Sequence, residues 1–121
     1  MAARRWSAMA GTSEYLARAG QLAGAGQVGE AILVLEQAVE RCEDDAAVTK
    51  QLARLNLSIN EVRAFQNWCH EALRIAPQDP EPHRMLAAYF RSTGRLAEAK
   101  EEDRLAEGLA EPLSSSGGTR A

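Results

Sequence analysis

Apolar residues recur along this chain at spacings of three and four, as in the run Ala31, Leu35, Ala38 and Val39. This spacing places them on one face of a helix and predicts amphipathic helices rather than strands. β-branched residues are few, while alanine and leucine are common, which also favours helices. We therefore predict six helices, over residues 13–24, 28–42, 46–58, 61–75, 80–92 and 95–110.

Short polar residues and prolines mark where several of these helices begin and end. Asp45, Asn60 and Asp79 are placed to cap the third, fourth and fifth helices, because their side chains accept hydrogen bonds from helix N-termini. Pro77 ends the fourth helix, since proline cannot continue the hydrogen-bond ladder. Pro80 fits the first turn of the fifth helix.

A constant repeat step organises the chain. Gly26, Asn60 and Gly94 are equally spaced along the chain, and we call the interval between neighbouring members of this set the repeat step. Glycine and asparagine adopt positive φ most readily, so all three positions fit a turn between helices. Alanines recur at the same step, in the sets Ala19, Ala53 and Ala87 and Ala38, Ala72 and Ala106. Small residues at one repeated offset indicate helices that approach each other closely.

With these features the chain resembles the tetratricopeptide repeat family, whose helix-turn-helix unit is about 34 residues long and so matches the step. The third unit carries the resemblance best, through Leu86, Ala87, Phe90, Gly94, Ala99 and Ala106. The resemblance implies an all-α fold of three tandem hairpins that form a short right-handed superhelical solenoid. The repeats would cover residues 12–45, 46–79 and 80–111, between disordered tails at residues 1–11 and 112–121.

Two residues depart from the family pattern. Phe65 stands where the family has a small alanine, so the second hairpin must open or rotate to house the ring. Asp103 replaces a buried apolar residue, and the charged run around it indicates a solvated outer face on the last helix. The extra helix that often shields the end of such an array is absent from the sequence, so we expect Leu105 and Leu109 to be either partly exposed or covered by a second copy or a missing segment.

Composition narrows the classes of function. The formal net charge is -3, and twelve of the fourteen cationic residues are arginines. This acidic balance and the scarcity of lysine argue against binding to nucleic acid. We see neither an apolar run long enough for a membrane span nor a secretory signal. Cys42 and Cys69 do not suggest a disulfide framework, so we expect a cytoplasmic protein.

No combination of residues in the sequence assembles a catalytic or metal site. His70 and Glu71 begin like the HExxH pattern of zinc proteases, but Arg74 occupies the place of the second histidine ligand. The glycines around residue 26 lack the strand and the lysine of a phosphate-binding loop. The acidic clusters lack the spacing of a calcium loop. We therefore expect no enzyme activity, no cofactor and no metal.

The family resemblance instead implies a binding groove lined by the first helix of each unit. The predicted groove residues are Leu16, Lys50, Gln51, Arg54, Leu57, Arg84, Met85 and Arg91. Within each helix their spacing suits one face. Because arginine forms forked hydrogen bonds to carboxylates, the basic centre favours a protein or peptide partner of acidic character. The alternative is that these are ordinary solvated charges. Some family members bind the tails of chaperones through a clamp of charged residues, and that clamp is missing from this sequence.

Two functions remain open from the sequence. The leading hypothesis is a scaffold or adaptor that holds a peptide or helix of a partner in the groove. The alternative is an oligomerisation or assembly module, with the last helix mediating contact between copies, or the excised repeat region of a larger enzyme or secretion-system component.

Overall fold

The computed structural model describes residues 11–42 and 44–110. The helices in these ranges are α1 (Thr12–Gly24), α2 (Val28–Arg41), α3 (Ala46–Ser58), α4 (Val62–Ile75), α5 (Glu81–Ser92) and α6 (Leu96–Ala110). All six predicted helices are confirmed, with every boundary within one residue of its prediction, and the described residues include no strand. The fold is therefore all-α and consists of consecutive helical hairpins. The predictions for residues 1–10 and 111–121 lie outside the described residues.

The turns inside the three hairpins share one backbone conformation. Gly26 has φ 86°, Asn60 has φ 65° and Gly94 has φ 80°, so all three adopt the left-handed conformation predicted from their spacing. The prediction that Asn60 also caps the fourth helix is wrong. Helix α4 begins at Val62, and Asn60 lies inside the turn, where its N–H donates to the carbonyl of Leu57 and its positive φ differs from the extended backbone of a capping residue.

Aspartates cap the first helix of the second and third hairpins. One carboxylate oxygen of Asp45, Oδ1, accepts a hydrogen bond from the N–H of Ala47 at 2.8 Å. Asp79 Oδ1 accepts from the N–H of Glu81 at 3.0 Å, and Pro80 lies immediately before the helix. Both bonds satisfy donors that have no partner within the helix, which explains why α3 and α5 begin where they do.

The described chain divides into two compact units, residues 11–75 and residues 76–110. In the first unit, helices α1 to α4 pack in sequence, each against the next. The core of this unit includes Tyr15, Ala19, Ala31, Ile32, Leu35, Ala38, Val48, Leu52 and Leu55. Its apolar positions recur with helical spacing on each element, so the core follows directly from the sequence pattern.

The second unit is a single hairpin of α5 packed against α6. Its buried residues are Pro82, Leu86, Ala87, Phe90, Ala99 and Ala106. Every alanine of the two repeated sets is at most 2 % exposed, which confirms that positions one repeat step apart are structurally equivalent. Leu105 and Leu109 are half-buried, as expected.

The second hairpin houses the larger residue at the position that is alanine in the other two. Phe65 is completely buried, like Ala31 and Ala99 at the equivalent positions. A second exception is Asn56, which is buried where the other hairpins have Leu22 and Phe90. Its side-chain amide donates to the carbonyl of Leu52 at 2.8 Å, so burial does not leave that donor unsatisfied.

Candidate binding face

Helices α1 and α3 leave a shared surface outside the core of the first unit. We call it the α1–α3 face, and it consists of Leu16, Gly20, Lys50, Gln51, Arg54 and Leu57. The two helices are neighbours, and α1 turns Tyr15 and Ala19 inward, toward the core. Leu16 and Gly20 are four residues apart, as are Lys50 and Arg54, so each pair lies on one side of its helix. All five groove residues that the sequence predicted for the first unit lie on these two helices, and their joint use as a binding site stays a prediction.

The α1–α3 face combines apolar and cationic side chains. Leu16 is half-buried and packs on the edge of the core, and Leu57 is also half-buried. Arg54 is exposed, and its Nη1 donates to Gln51 Oε1 at 3.3 Å. Both charged residues of the face, Lys50 and Arg54, are cationic. Such a surface can bury apolar side chains of a ligand and direct hydrogen bonds toward a carboxylate.

Gly20 is a feature of this face that sequence reasoning left unexplained. It lies inside α1, is exposed, and a Cβ built on it would have no heavy atom within 4 Å. The backbone there is helical, so neither packing nor a positive φ requires glycine. Glycine in a helix interior costs about 0.5–1 kcal/mol relative to alanine. The fold itself therefore does not account for this residue.

The remaining predicted groove residues belong to the second unit. Arg84 and Arg91 are exposed on α5, seven residues apart, and Met85 is half-buried. Arg91 Nη1 lies 2.9 Å from Asp103 Oδ2 of α6, so this guanidinium pairs with its own hairpin. That these three residues and the α1–α3 face bind one ligand stays a prediction.

Two charged contacts were not anticipated from the sequence. Arg74 bridges Glu71 on its own helix and Asp44 before α3, at 2.6 and 2.9 Å. The hydrogen bond from Arg74 holds the pKa of the Glu71 carboxyl below its ordinary value. The spacing of Glu71 and Arg74 signals a helical pair, but no pattern signals the contact between Arg74 and the distant Asp44.

The other unanticipated contact lies inside the second unit. His83 Nδ1 on α5 is 2.7 Å from Glu102 Oε1 on α6, and their side chains are 15 % and 20 % exposed. The sequence suggested a surface or packing role for His83, and the half-buried pair is a packing role. His70 is exposed, as expected. Within the described ranges, no group of three or more histidine, cysteine or acidic residues is placed to hold a metal ion.

Comparison with known proteins adds to this picture. A family model described as tetratricopeptide repeat matches residues 22–89, which is more than half of the chain. No curated protein matches the chain. None of the helices in the described part of the chain is long and apolar enough to cross a membrane. Repeats of this family generally mediate protein–protein interaction and are typically non-catalytic. The chain therefore belongs to the tetratricopeptide repeat family.

Proposed function

We propose that this protein is an interaction module that holds a segment of a partner protein against the α1–α3 face. The observation that carries the proposal is the composition of that face, which offers two half-buried leucines and two cations that all remain at least partly open to solvent. A scaffold or adaptor role follows from this, because one such surface is enough to localise a partner.

The apolar and charged residues have separate roles in the proposed complex. Contact with Leu16 and Leu57 removes apolar surface from water, which stabilises a complex by roughly 25 cal/mol per Å². Arg54 contributes orientation, since a planar guanidinium donates two parallel hydrogen bonds to the oxygens of a carboxylate. The partner segment that fits best carries apolar side chains and carboxylates, and it is either extended or helical.

The predicted groove residues Arg84, Met85 and Arg91 extend the proposal to the second unit. Arg84 is the stronger candidate, because Arg91 already pairs with Asp103. A ligand carboxylate would compete with that pair for Arg91. We therefore expect substitution of Arg84 to weaken partner binding more than substitution of Arg91.

The cytoplasmic location expected from the sequence is part of the same proposal. Cys69 is fully buried, where a thiol behaves as a small apolar side chain. Self-association through α6 is not part of the proposal, because several outward positions of that helix carry charged groups, which include Lys100 and Glu107.

Site-specific photo-crosslinking tests the proposal. The photoreactive residue p-benzoylphenylalanine replaces Leu57 on the α1–α3 face or, as a control, Leu33, which is 59 % exposed on α2. We expect the same partner segment to be crosslinked through position 57 and not through position 33, with the crosslinked peptides identified by mass spectrometry. Equal crosslinking at both positions would contradict the proposal.

Charge reversal adds a second, independent readout. Arg54→Glu should abolish the crosslink through position 57, while Arg63→Glu, the same change at an exposed position of α4, should leave it intact. Circular dichroism establishes that both variants are folded. If Arg54→Glu remains folded and the crosslink persists, the cationic part of the face does not contribute to binding.

A further inference from the structure

Helix α3 docks on α2 through one apolar face. Val48, Leu52 and Leu55 follow the spacing i, i+4, i+7, and all three belong to the buried cluster that contains Ile32 and Leu35 of α2. Helices α2 and α3 belong to successive repeats, so this contact is the joint between two hairpins. A further repeat or a second copy would need an equivalent joint in order to stack.

The corresponding positions one repeat earlier are polar. One repeat step before Val48, Leu52 and Leu55 stand Glu14, Arg18 and Gln21. All three are exposed, and they form the same i, i+4, i+7 face on α1. None of the three belongs to the buried core of the first unit. We call these three residues the α1 end face.

The positions of α2 on which α3 docks are likewise replaced by charged residues in the last repeat. Two repeat steps after Ile32 and Leu35 stand Lys100 and Asp103 on α6. Lys100 is exposed, and the Asp103 side chain is 38 % exposed and pairs with Arg91. We call Lys100 and Asp103 the α6 end face. Charged residues therefore occupy both surfaces that would form such a joint. One is the surface of α1 that corresponds to the docking face of α3, and the other is the surface of α6 that corresponds to the face of α2.

We infer that the α1 and α6 end faces prevent two copies of this chain from stacking end to end. Stacking in the manner of α3 on α2 would take Glu14, Arg18, Lys100 and Asp103 out of water. Desolvation of charged groups opposes association even where opposite charges meet, because pairing often does not repay the cost. The same residues would resist the docking of any repeat with an apolar first helix. This inference depends on the burial pattern and not on the proposed binding function.

Two complementary variants test this inference. The first, E14V/R18L/Q21L, gives α1 the apolar face of α3. The second, K100I/D103L, gives α6 the two apolar residues of α2. By sedimentation velocity, the wild-type chain and each variant alone should be monomeric at every concentration. An equimolar mixture of the two variants should form a one-to-one complex with twice the monomer mass, because only the mixture contains both halves of an apolar joint.

Matched controls separate a specific joint from general stickiness. The variant R63L/H70L adds apolar residues at exposed positions of α4, and its mixture with K100I/D103L should remain monomeric. Circular dichroism confirms folding, and the single change Arg18→Leu replaces the triple variant if the latter does not fold. The inference is overturned if the folded mixture stays monomeric, if the control mixture associates equally, or if the wild-type chain itself associates.

Discussion

The comparison of repeats and the structure lead to opposite expectations for the stability of a Phe65→Ala variant. The first and third hairpins have alanine at this position, as Ala31 and Ala99, so a comparison of repeats suggests that Phe65→Ala restores the usual residue. The structure indicates the opposite, because the ring of Phe65 is completely buried. We predict a large loss of stability, since the second hairpin is packed around the ring.

The magnitude follows from the size of the space left behind. Phe→Ala at buried positions costs about 3–5 kcal/mol, which includes the lost transfer energy and the cavity. Alanine is the better helix former, but this offsets only about 0.5 kcal/mol. We therefore expect the free energy of unfolding to fall by about 3 kcal/mol or more. That is a substantial part of the roughly 5–15 kcal/mol that stabilises a typical domain.

Urea unfolding measures this loss through two signals. Far-UV circular dichroism reports all helices, and the fluorescence of Trp68 reports α4, on which Phe65 also lies. The background substitution Trp6→Phe leaves Trp68 as the one tryptophan of the chain. Phe65→Leu serves as a control and should lose much less, because it keeps most of the buried volume. If Phe65→Ala unfolds at the wild-type urea midpoint with an unchanged slope, the site closes around alanine and the argument from burial fails.

Three further predictions concern individual sites. Gly20→Ala should raise the free energy of unfolding by about 0.5–1 kcal/mol in a urea titration, whereas Gly26→Ala should lower it by about 1–2 kcal/mol because its φ is positive. A double-mutant cycle of His83→Ala and Glu102→Ala, measured by thermal unfolding, should give a coupling of about 1 kcal/mol, and a coupling near zero would mean that the pair is not formed in solution. Ala87→Arg should cost a few kcal/mol, about 1–3 or more, because that alanine is completely buried, and an unchanged melting curve would contradict the alignment of the repeats.

The fold could be predicted from the sequence because its signals are local and repeated. Helix boundaries depend on nearby caps and prolines, such as Asp45 and Pro77, and an apolar face on one helix is visible without its neighbours. The left-handed turn at Asn60 was predicted from the glycines one repeat step away on either side. Its second predicted role, as a cap, failed because a capping residue takes an extended backbone conformation, whereas Asn60 has a positive φ.

The candidate site was predictable only in part. Spacing identified Lys50 and Arg54 as residues of one helix face, and the structure places them with Leu16 in the first unit. Spacing could not show that Arg91 pairs with Asp103. Contacts between long side chains on different helices depend on the distance and angle between the helices, and these follow from packing rather than from the pattern along one helix.

The positions where the repeats differ carry information that the shared positions lack. Arg18 and Leu52 occupy the same place in the first two hairpins, yet Arg18 is exposed and Leu52 is buried. Hairpin formation cannot explain this difference, because Arg18 contributes nothing to the core of its own hairpin. What distinguishes the first hairpin is that its α1 has no preceding helix of the described chain packed on this side, so a leucine there would be exposed to water. The charge is thus explained by stacking between hairpins, and a substitution at Arg18 should affect association before it affects stability.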